Sequence, residues 1–382
     1  MPGPALDTLA EMAGRAWSSF TPAVVTLLAV TLLPASPTIA SPILREGPRT
    51  SAPALSVQGN RIVDAAGHPV QLNGVNRSGA EYMCVGGGGI FDGPVDAASV
   101  AAMAPWHVHV VRVPLNEDCW LGINGVRPAY SGARYRAAIQ RYVQTLEAAG
   151  MNVILGLHWN APGGQLAQGQ RRMPDYDHSP DFWRSVAQTF GSDPAVLFDL
   201  YNEPHDVSWS CWRDGCTVGS DFHPWRAAGM QDLVNAVRST GAANILMLGG
   251  LEWSGDIRRW SSFMPDDPLH QLVVSWHVYG FGCATRACWH ANVAAVADAA
   301  PILIGEFGEL GCRHDFVDRF MSWADRKDGG LGLGYVAWTW DDWATCDGPT
   351  LIRNYRGDPT GYGVGVRRHF RSRFARAAVT QS

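Results

Sequence analysis

Two glutamates stand in sequence settings that could support acid–base chemistry. Glu203 lies in the segment LYNEP, residues 200–204, and Glu306 lies in ILIGEFG, residues 302–308. Each follows a short apolar run typical of a β-strand and precedes a loop rich in turn residues, so both carboxylates are predicted at the carboxyl ends of strands. Cleavage of a sugar acetal with retention of configuration needs two such carboxylates about 5 Å apart.

The elements that must position these carboxylates are predicted from eight apolar runs that alternate with helical patterns. Such alternation is typical of a parallel sheet, and eight repeats favour a closed (β/α)8 TIM barrel over an open doubly wound sheet. Because the strands of such a barrel end on one face, Glu203 and Glu306 are expected to meet there. A small β-hairpin is predicted before the barrel, over residues 57–70. The predicted strands are 71–76, 108–114, 152–157, 196–201, 245–248, 272–277, 302–306 and 334–340.

Further polar and aromatic residues fall at the ends of these runs, in a fixed order along the chain. They include Arg112 in VVRVP, His158 in ILGLHW, His277 and Tyr279 in SWHVY, and Trp338 in VAWTW. Together with the tripeptide Asn202-Glu203-Pro204 and with Glu306, this series resembles glycoside hydrolase family 5, a cellulase-like group of retaining (β/α)8 hydrolases. The resemblance runs from about residue 57 to about residue 370.

The resemblance implies a role for each carboxylate. Glu203 corresponds to the general acid/base, and Glu306 corresponds to the nucleophile. Glu203 must then hold its proton in the resting enzyme while Glu306 stays ionised. Hydrogen bonds from Arg112 and Tyr279 would favour the ionised form of Glu306.

The same resemblance implies substrate contacts for the remaining residues. Asn202 is expected to bond the sugar 2-hydroxyl, although an Asn before a Glu can also be a turn residue. His158 and His277 are expected to orient the carboxylates and contact hydroxyls, or else to satisfy buried carbonyl groups. Trp338 is the expected stacking platform for the sugar ring. Trp340 alternates to the other face of the strand and is expected to pack against a helix.

Several other acidic residues compete with this pair. Glu117 and Asp118 follow the second strand and could line the cleft, and Glu252 follows the fifth strand. Glu309 lies beyond the end of the seventh strand and should point into a loop. None of these gains a catalytic role from its sequence context.

Composition limits the partners. The 382 residues are 46% hydrophobic and 17% charged, which is enough apolar material for one large core, and the net charge of −5 is spread without blocks. We therefore expect no nucleic-acid partner and no stable membrane partner. The expected partner is a polysaccharide or oligosaccharide substrate, and the chain is expected to act as a monomer.

The amino-terminal segment is typical of a secretion signal. A basic residue precedes an apolar stretch at residues 23–33, and small residues follow. We predict a signal peptide over residues 1–40, a flexible leader over 41–54, a hydrolase domain over 55–376 and a tail over 377–382. A retained membrane anchor is the alternative interpretation of the first segment.

Eight cysteines fit an exported, oxidised protein. All of them follow predicted strands and so belong to loops at one end of the barrel. Zinc is the rival interpretation, but no C-x2-C spacing is present. Since the first and second strands are neighbours, as are the seventh and eighth, the simplest pairing is Cys84 with Cys119, Cys211 with Cys216, Cys283 with Cys288, and Cys312 with Cys346.

The sequence therefore predicts a secreted retaining β-glycosidase, with an endo-β-1,4-glucanase (cellulase) as the preferred activity. No metal or organic cofactor is expected, because the two glutamates supply protonation and covalent capture. An exo-acting enzyme, or one acting on mannan, β-1,3-glucan or other β-glycosides, is the first alternative. A carbohydrate-binding protein without catalysis is the second.

Overall fold

The computed structural model describes residues 51–325, 332–343 and 349–379. Eight parallel strands form a closed barrel at its centre, in which each barrel strand pairs with the next one along the chain and the last pairs with the first. The predicted TIM barrel is confirmed. The barrel strands are β3 (Asn73–Asn76), β4 (Val110–Asn116), β5 (Asn152–Trp159), β6 (Val196–Asp199), β9 (Leu246–Gly249), β10 (Leu272–Tyr279), β11 (Ile302–Gly308) and β12 (Gly334–Ala337).

Within the described parts of the chain, three antiparallel strand pairs lie outside the barrel. The first confirms the predicted hairpin, and its residues Leu55 and Ile62 pack into the apolar cluster that fills the amino-terminal end of the barrel. The chain just before it also docks there, because the Pro53 carbonyl accepts a hydrogen bond of 2.8 Å from the Asn152 side chain. The pairs are β1 (Leu55–Gln58) with β2 (Arg61–Asp64), β7 (Cys216–Ser220) with β8 (His223–Ala227), and β13 (Ile352–Asn354) with β14 (Asp358–Pro359).

Helices surround the barrel and bury their apolar faces against its strands. Two short 3₁₀ helices, Ala104–Trp106 and Trp260–Phe263, complete the described set. None of the helices within the described ranges combines the length and the apolar character needed to cross a membrane. The α-helices are α1 (Met83–Gly86), α2 (Ala97–Ala101), α3 (Glu117–Leu121), α4 (Ala133–Ala148), α5 (Ser179–Phe190), α6 (Trp209–Asp214), α7 (Met230–Arg238), α8 (Arg286–Ala294), α9 (Asp315–Ala324) and α10 (Gly361–Val379).

Strand β4 shows how the sequence separates the two cores. Val111 and Val113 belong to the large apolar layer between strands and helices, whereas Val110 belongs to the cluster inside the barrel. Successive side chains of a strand point to opposite faces, so Arg112 must also point inward, two residues nearer the carboxyl end. A fully buried guanidinium in the barrel needs carboxylates around it, and this requirement organises the site.

Three of the four predicted disulfides have both cysteines among the described residues. They are Cys84–Cys119, Cys211–Cys216 and Cys283–Cys288. The fourth predicted bridge joins Cys312 to Cys346, and Cys346 lies outside the described residues, so that bridge stays a prediction.

The bridge Cys84–Cys119 should contribute more stability than either short bridge. It closes a loop with a sequence separation of 35, against 5 for Cys211–Cys216. In the chain-entropy account we expect Cys84→Ser with Cys119→Ser to lower the free energy of unfolding by about 2–4 kcal/mol, and the Cys211 and Cys216 double variant to lower it less. Urea unfolding under non-reducing conditions measures both. Equal losses for the two double variants would contradict this ranking.

Candidate active site

Arg112 is the hub of the carboxyl-terminal face of the barrel. Its side chain is fully buried and donates from Nε to Asp199 Oδ2 at 2.8 Å and from Nη1 to Glu306 Oε1 at 2.8 Å. The same guanidinium donates to Asn76 Oδ1 at 2.9 Å and to Asn202 Oδ1 at 2.6 Å. One planar cation thus fixes four side chains that follow or lie on three different strands.

Glu203 and Glu306 meet across the barrel mouth, as the sequence predicted. His277 Nδ1 lies 2.9 Å from Glu203 Oε1 and 3.7 Å from Glu306 Oε2. One oxygen of each carboxylate and this ring nitrogen all lie within 4.8 Å of one another. This approach of the two carboxylates fits the separation of about 5 Å in retaining enzymes better than the 6.5–9.5 Å typical of inverting enzymes.

Local backbone features place Glu306 at its position. The register of β11 shifts near Glu306 against both neighbouring strands. Against β12 the shift falls between Ile304 and Phe307 of β11. A Cβ at Gly305 would come within 2.5 Å of Ser275 Oγ and 3.1 Å of a His277 ring nitrogen. Only glycine therefore allows this strand to approach β10 closely enough for His277 to face both carboxylates.

The two carboxylates differ in protonation. Burial raises the pKa of Glu203 well above its usual range, and the nearby charge of Glu306 raises it further. Burial also raises the pKa of Glu306, but the Arg112 charge and a hydrogen bond of 2.7 Å from the Tyr279 hydroxyl oppose that rise. Glu203 is the member of the pair that keeps its proton, and Glu306 is the member that ionises first.

Their surroundings favour the neutral form of His277 and His158. Burial lowers the pKa of His277 and of His158 well below the usual value, and the charge of Arg112 adds to both shifts. A neutral His277 can form a hydrogen bond with Glu203 without adding a positive charge, which would lower the pKa of Glu203. Among the described residues, His158 forms no hydrogen bond to either carboxylate and its buried Nδ1 has no hydrogen-bond partner. Its ring stacks on Trp338 with centroids 5.5 Å apart.

Aromatic side chains line the cleft beside Glu306. Trp338 and Tyr279 form a small cluster, and the partly buried Phe281 and Trp343 pack against it. Tyr279 and Phe281 stack with ring centroids 5.3 Å apart. The peptide bond between Trp338 and Thr339 is cis. Aromatic faces of this kind are suited to the C–H faces of pyranose rings.

Sequence reasoning missed three residues of this site. Asp199 and Asn76 bond Arg112 directly, and Gln170 accepts a hydrogen bond from Asn202 Nδ2 while donating to the Glu203 carbonyl at 2.8 Å. Asp199 carried a signal, because a carboxylate within the apolar strand VLFD must find a buried cation. Gln170 carried none, since it lies in an irregular loop.

Other candidates take positions away from the carboxylate pair. Glu117 and Asp118 are buried beneath the loop after β5, so the expectation that they line the cleft is wrong. Glu309 Oε2 accepts the backbone N–H groups of Phe316 and Val317 near the start of α9, which agrees with its predicted place in a loop. Trp340 packs against Trp106 with ring centroids 4.9 Å apart, as expected for the outer face.

Known proteins show which family this chain resembles. The family model described as "Cellulase (glycosyl hydrolase family 5)" matches residues 63–343. The chain is 32% identical over 202 residues to the "Manganese dependent endoglucanase Eg5A" of Phanerodontia chrysosporium, a match that covers 50% of this chain and spans only 46% of that relative's length. It is 23% identical over 295 residues to a "Mannan endo-1,4-beta-mannosidase" of Salipaludibacillus agaradhaerens, covering 74% of this chain and 80% of that protein.

Solved structures share the fold. The catalytic domain of Thermobifida fusca endoglucanase Cel5A (E5) superposes with a TM-score of 0.60 at 17% identity, covering 83% of this chain and 97% of that one. A likeness at this identity concerns the arrangement of strands and helices.

Proposed function

The chain belongs to glycosyl hydrolase family 5, and from that premise we propose that it hydrolyses β-linked polysaccharides with retention of configuration, as an endo-β-1,4-glucanase. The observation that carries the proposal is the close carboxylate pair, in which burial and neighbouring charges leave Glu203 protonated and Glu306 the more readily ionised. A retaining hydrolase needs that asymmetry.

In the first step, Glu306 attacks the anomeric carbon of the bound sugar. The bond between that carbon and the glycosidic oxygen breaks as Glu203 delivers its proton to this oxygen, and the leaving chain departs as an alcohol. Arg112 and Tyr279 hold one oxygen each of Glu306, which orients the carboxylate for attack. The product of this step is a glycosyl ester of Glu306 and an ionised Glu203.

In the second step, Glu203 acts as a base. It removes a proton from a water molecule, which attacks the same anomeric carbon and releases Glu306 as a carboxylate. His277 lies against both carboxylates and stays neutral, so it can keep Glu203 in place through both protonation states. Glu203 ends the cycle protonated.

Two residues are proposed to hold the sugar. Asn202 is fixed at Oδ1 by Arg112 and at Nδ2 by Gln170, which leaves its second amide hydrogen for the sugar 2-hydroxyl. Trp338, backed by the stacked His158 ring, offers the platform for the sugar face. His158 would act through Trp338 rather than on the carboxylates.

The choice of β-1,4-glucan rests on the relatives. Among eight similar proteins, six are named as endoglucanases and two as mannan endo-1,4-β-mannosidases. Glucose and mannose differ at the 2-hydroxyl that Asn202 is proposed to bind, so mannan is the alternative substrate that this site would have to distinguish. An exo-acting enzyme is the alternative cleavage mode.

Initial products from cellopentaose, mannopentaose and laminaripentaose test the substrate. We expect cellopentaose to be cut fastest and at internal bonds, with carboxymethylcellulose losing viscosity before many reducing ends appear. Faster cleavage of mannopentaose would contradict the glucan assignment and indicate mannan as the substrate. Release of a single small product from one chain end would indicate exo action.

The cellular location and assembly are proposed on separate grounds. The three disulfides support an oxidising compartment, and we propose that residues 1–40 direct secretion and are removed. The hydrolase domain is proposed to span residues 55–376 and to work as a monomer. Helix α10 extends to Val379, a few residues into the predicted tail.

The hydrogen bond from Tyr279 to Glu306 should affect the pH dependence of kcat/KM. This hydrogen bond lowers the pKa of Glu306, so Tyr279→Phe should raise that pKa. Because Glu306 must be ionised to attack, the acid limb of kcat/KM should move to higher pH, while the alkaline limb set by Glu203 should move less.

The pH profile of kcat/KM on an aryl β-glycoside measures this shift. Tyr135→Phe is the matched control, because it removes a buried hydroxyl that bonds the Ala80 carbonyl away from the carboxylates. A Tyr279→Phe acid limb at the wild-type position, or shifted to lower pH, would contradict the role given to this bond.

A further inference from the structure

A second cluster of ionisable side chains lies between the barrel and the loop formed by residues 160–178. Glu117 and Asp175 are fully buried, and His178 is largely buried at the start of α5. One ligand atom from each of the three lies within 4.8 Å of the others. These residues are separate from the Glu203–Glu306 pair and have no part in the proposed reaction.

The atoms of this cluster converge on one point. His178 Nδ1 faces Asp175 Oδ1 at 3.3 Å, the Ala161 carbonyl at 3.3 Å and Glu117 Oε1 at 3.8 Å. A single imidazole N–H can serve only one of three oxygens well. A cation placed among the four atoms would satisfy all of them.

Glu117 supplies an independent sign of a missing ligand. Its Oε2 accepts a hydrogen bond from Ser179, but its buried Oε1 has no hydrogen-bond partner within the described ranges and is directed toward His178. A buried carboxylate oxygen left unpaired is costly, and native structures rarely leave one unless an ion or water fills the gap.

We propose that Glu117, Asp175 and His178 bind a divalent transition-metal ion, with the Ala161 carbonyl as a further oxygen ligand. Two carboxylates and one imidazole suit Mn²⁺ or Zn²⁺ better than Ca²⁺ or Mg²⁺, which prefer oxygen alone. Ligand atoms around such an ion stand about 3.4 Å apart in a tetrahedral site with bonds of about 2.1 Å. The observed separations of 3.3 and 3.8 Å lie on either side of this value.

Neighbouring residues give the site its supporting contacts. Asn160 donates to Asp175 Oδ2 at 2.9 Å, and the Tyr201 hydroxyl donates to Asn160 Oδ1 at 2.8 Å. Tyr201 directly precedes Asn202, and Gln170 of the same loop bonds both Asn202 and the Glu203 carbonyl. Metal binding would therefore fasten the loop that positions the proposed acid/base, a consequence that rests on the proposed function.

Titration of the purified protein with MnCl₂, followed by electron paramagnetic resonance and calorimetry, tests the site without any hydrolysis assay. We expect one bound Mn²⁺ per chain, competition by Zn²⁺, no competition by equimolar Ca²⁺, and a rise in Tm with Mn²⁺. Glu117→Gln and His178→Ala should each weaken Mn²⁺ binding at least tenfold. Circular dichroism establishes that both variants are folded.

Two controls locate the ion. Asp181→Asn changes an exposed carboxylate in the first turn of α5, which pairs with Arg184, and should leave the affinity within about twofold. Glu306→Gln should also leave it unchanged, which separates this site from the Glu203–His277–Glu306 cluster. Failure to bind Mn²⁺ or Zn²⁺ at millimolar concentration, or binding lost in Glu306→Gln but kept in Glu117→Gln, would overturn the proposal.

Discussion

Glu306→Gln is expected to abolish hydrolysis of polysaccharides and of activated aryl β-glycosides alike, lowering kcat by at least about 10⁴-fold. The substitution keeps the size of the side chain but removes the nucleophile, so no leaving group can restore the reaction. Glu203→Gln should differ. With a leaving group that needs no protonation it should still release the aryl group in a burst, because glycosylation of Glu306 proceeds and only its hydrolysis is slow.

Stopped-flow release of dinitrophenolate separates the two variants. Glu309→Gln is the matched control, since Glu309 caps a helix near the site and a glutamine oxygen can still accept those backbone bonds. A burst from the Glu306 variant would contradict its role as nucleophile. Complete inactivity of the Glu203 variant on the activated substrate would contradict its role as acid/base.

Arg112→Met is expected to give the largest loss of stability of any single change at the site. It leaves the buried carboxylates of Asp199 and Glu306 without their cation, and breaking such a pair costs about 3–5 kcal/mol. Burial already raises the pKa of Asp199 to about 6 with Arg112 present. Without Arg112 the folded-state pKa values of both carboxyl groups rise further above their unfolded values, so the stability deficit should grow as the pH increases.

Urea unfolding at pH 5 and pH 8 measures this effect. Arg112→Lys should recover part of the stability by restoring one charge but not the activity, because an ammonium cannot reach Asp199, Glu306, Asn76 and Asn202 together. Arg258→Met is the control, since its ion pair with Asp256 is exposed and should contribute less than about 1 kcal/mol. A deficit for Arg112→Met that shrinks at pH 8 would refute the account of the buried carboxylates.

The barrel and the carboxylate pair could be predicted from sequence for a physical reason. Barrel strands are buried on both faces and so appear as apolar runs, and polar residues directly after those runs stand out, as Glu203 and Glu306 do. Arg112 was identified through the family resemblance, in the run VVRVP, and the same resemblance supplied the separate roles of the two glutamates.

The remaining features depend on contacts across the fold. Gln170 accepts a hydrogen bond from Asn202, but it lies in an irregular loop whose path no sequence periodicity predicts. Glu117 follows a strand end, as a cleft residue would, yet it lies in helix α3 and is buried beneath the same loop. His158 shows a further limit. Its strand-end position is right, but stacking on Trp338 rather than hydrogen bonding to a carboxylate follows from the side chain's direction, which the sequence does not specify.

The anomeric configuration of the first product tests the central claim most directly. In the proposed mechanism the close Glu203–Glu306 pair leaves no room for a water between nucleophile and anomeric carbon, so each of two displacements inverts that carbon and the product keeps the β configuration. Proton NMR recorded in the first minutes of hydrolysis, before mutarotation, should show the β anomer appearing first on any accepted β-glycoside. Initial appearance of the α anomer would contradict a covalent intermediate on Glu306.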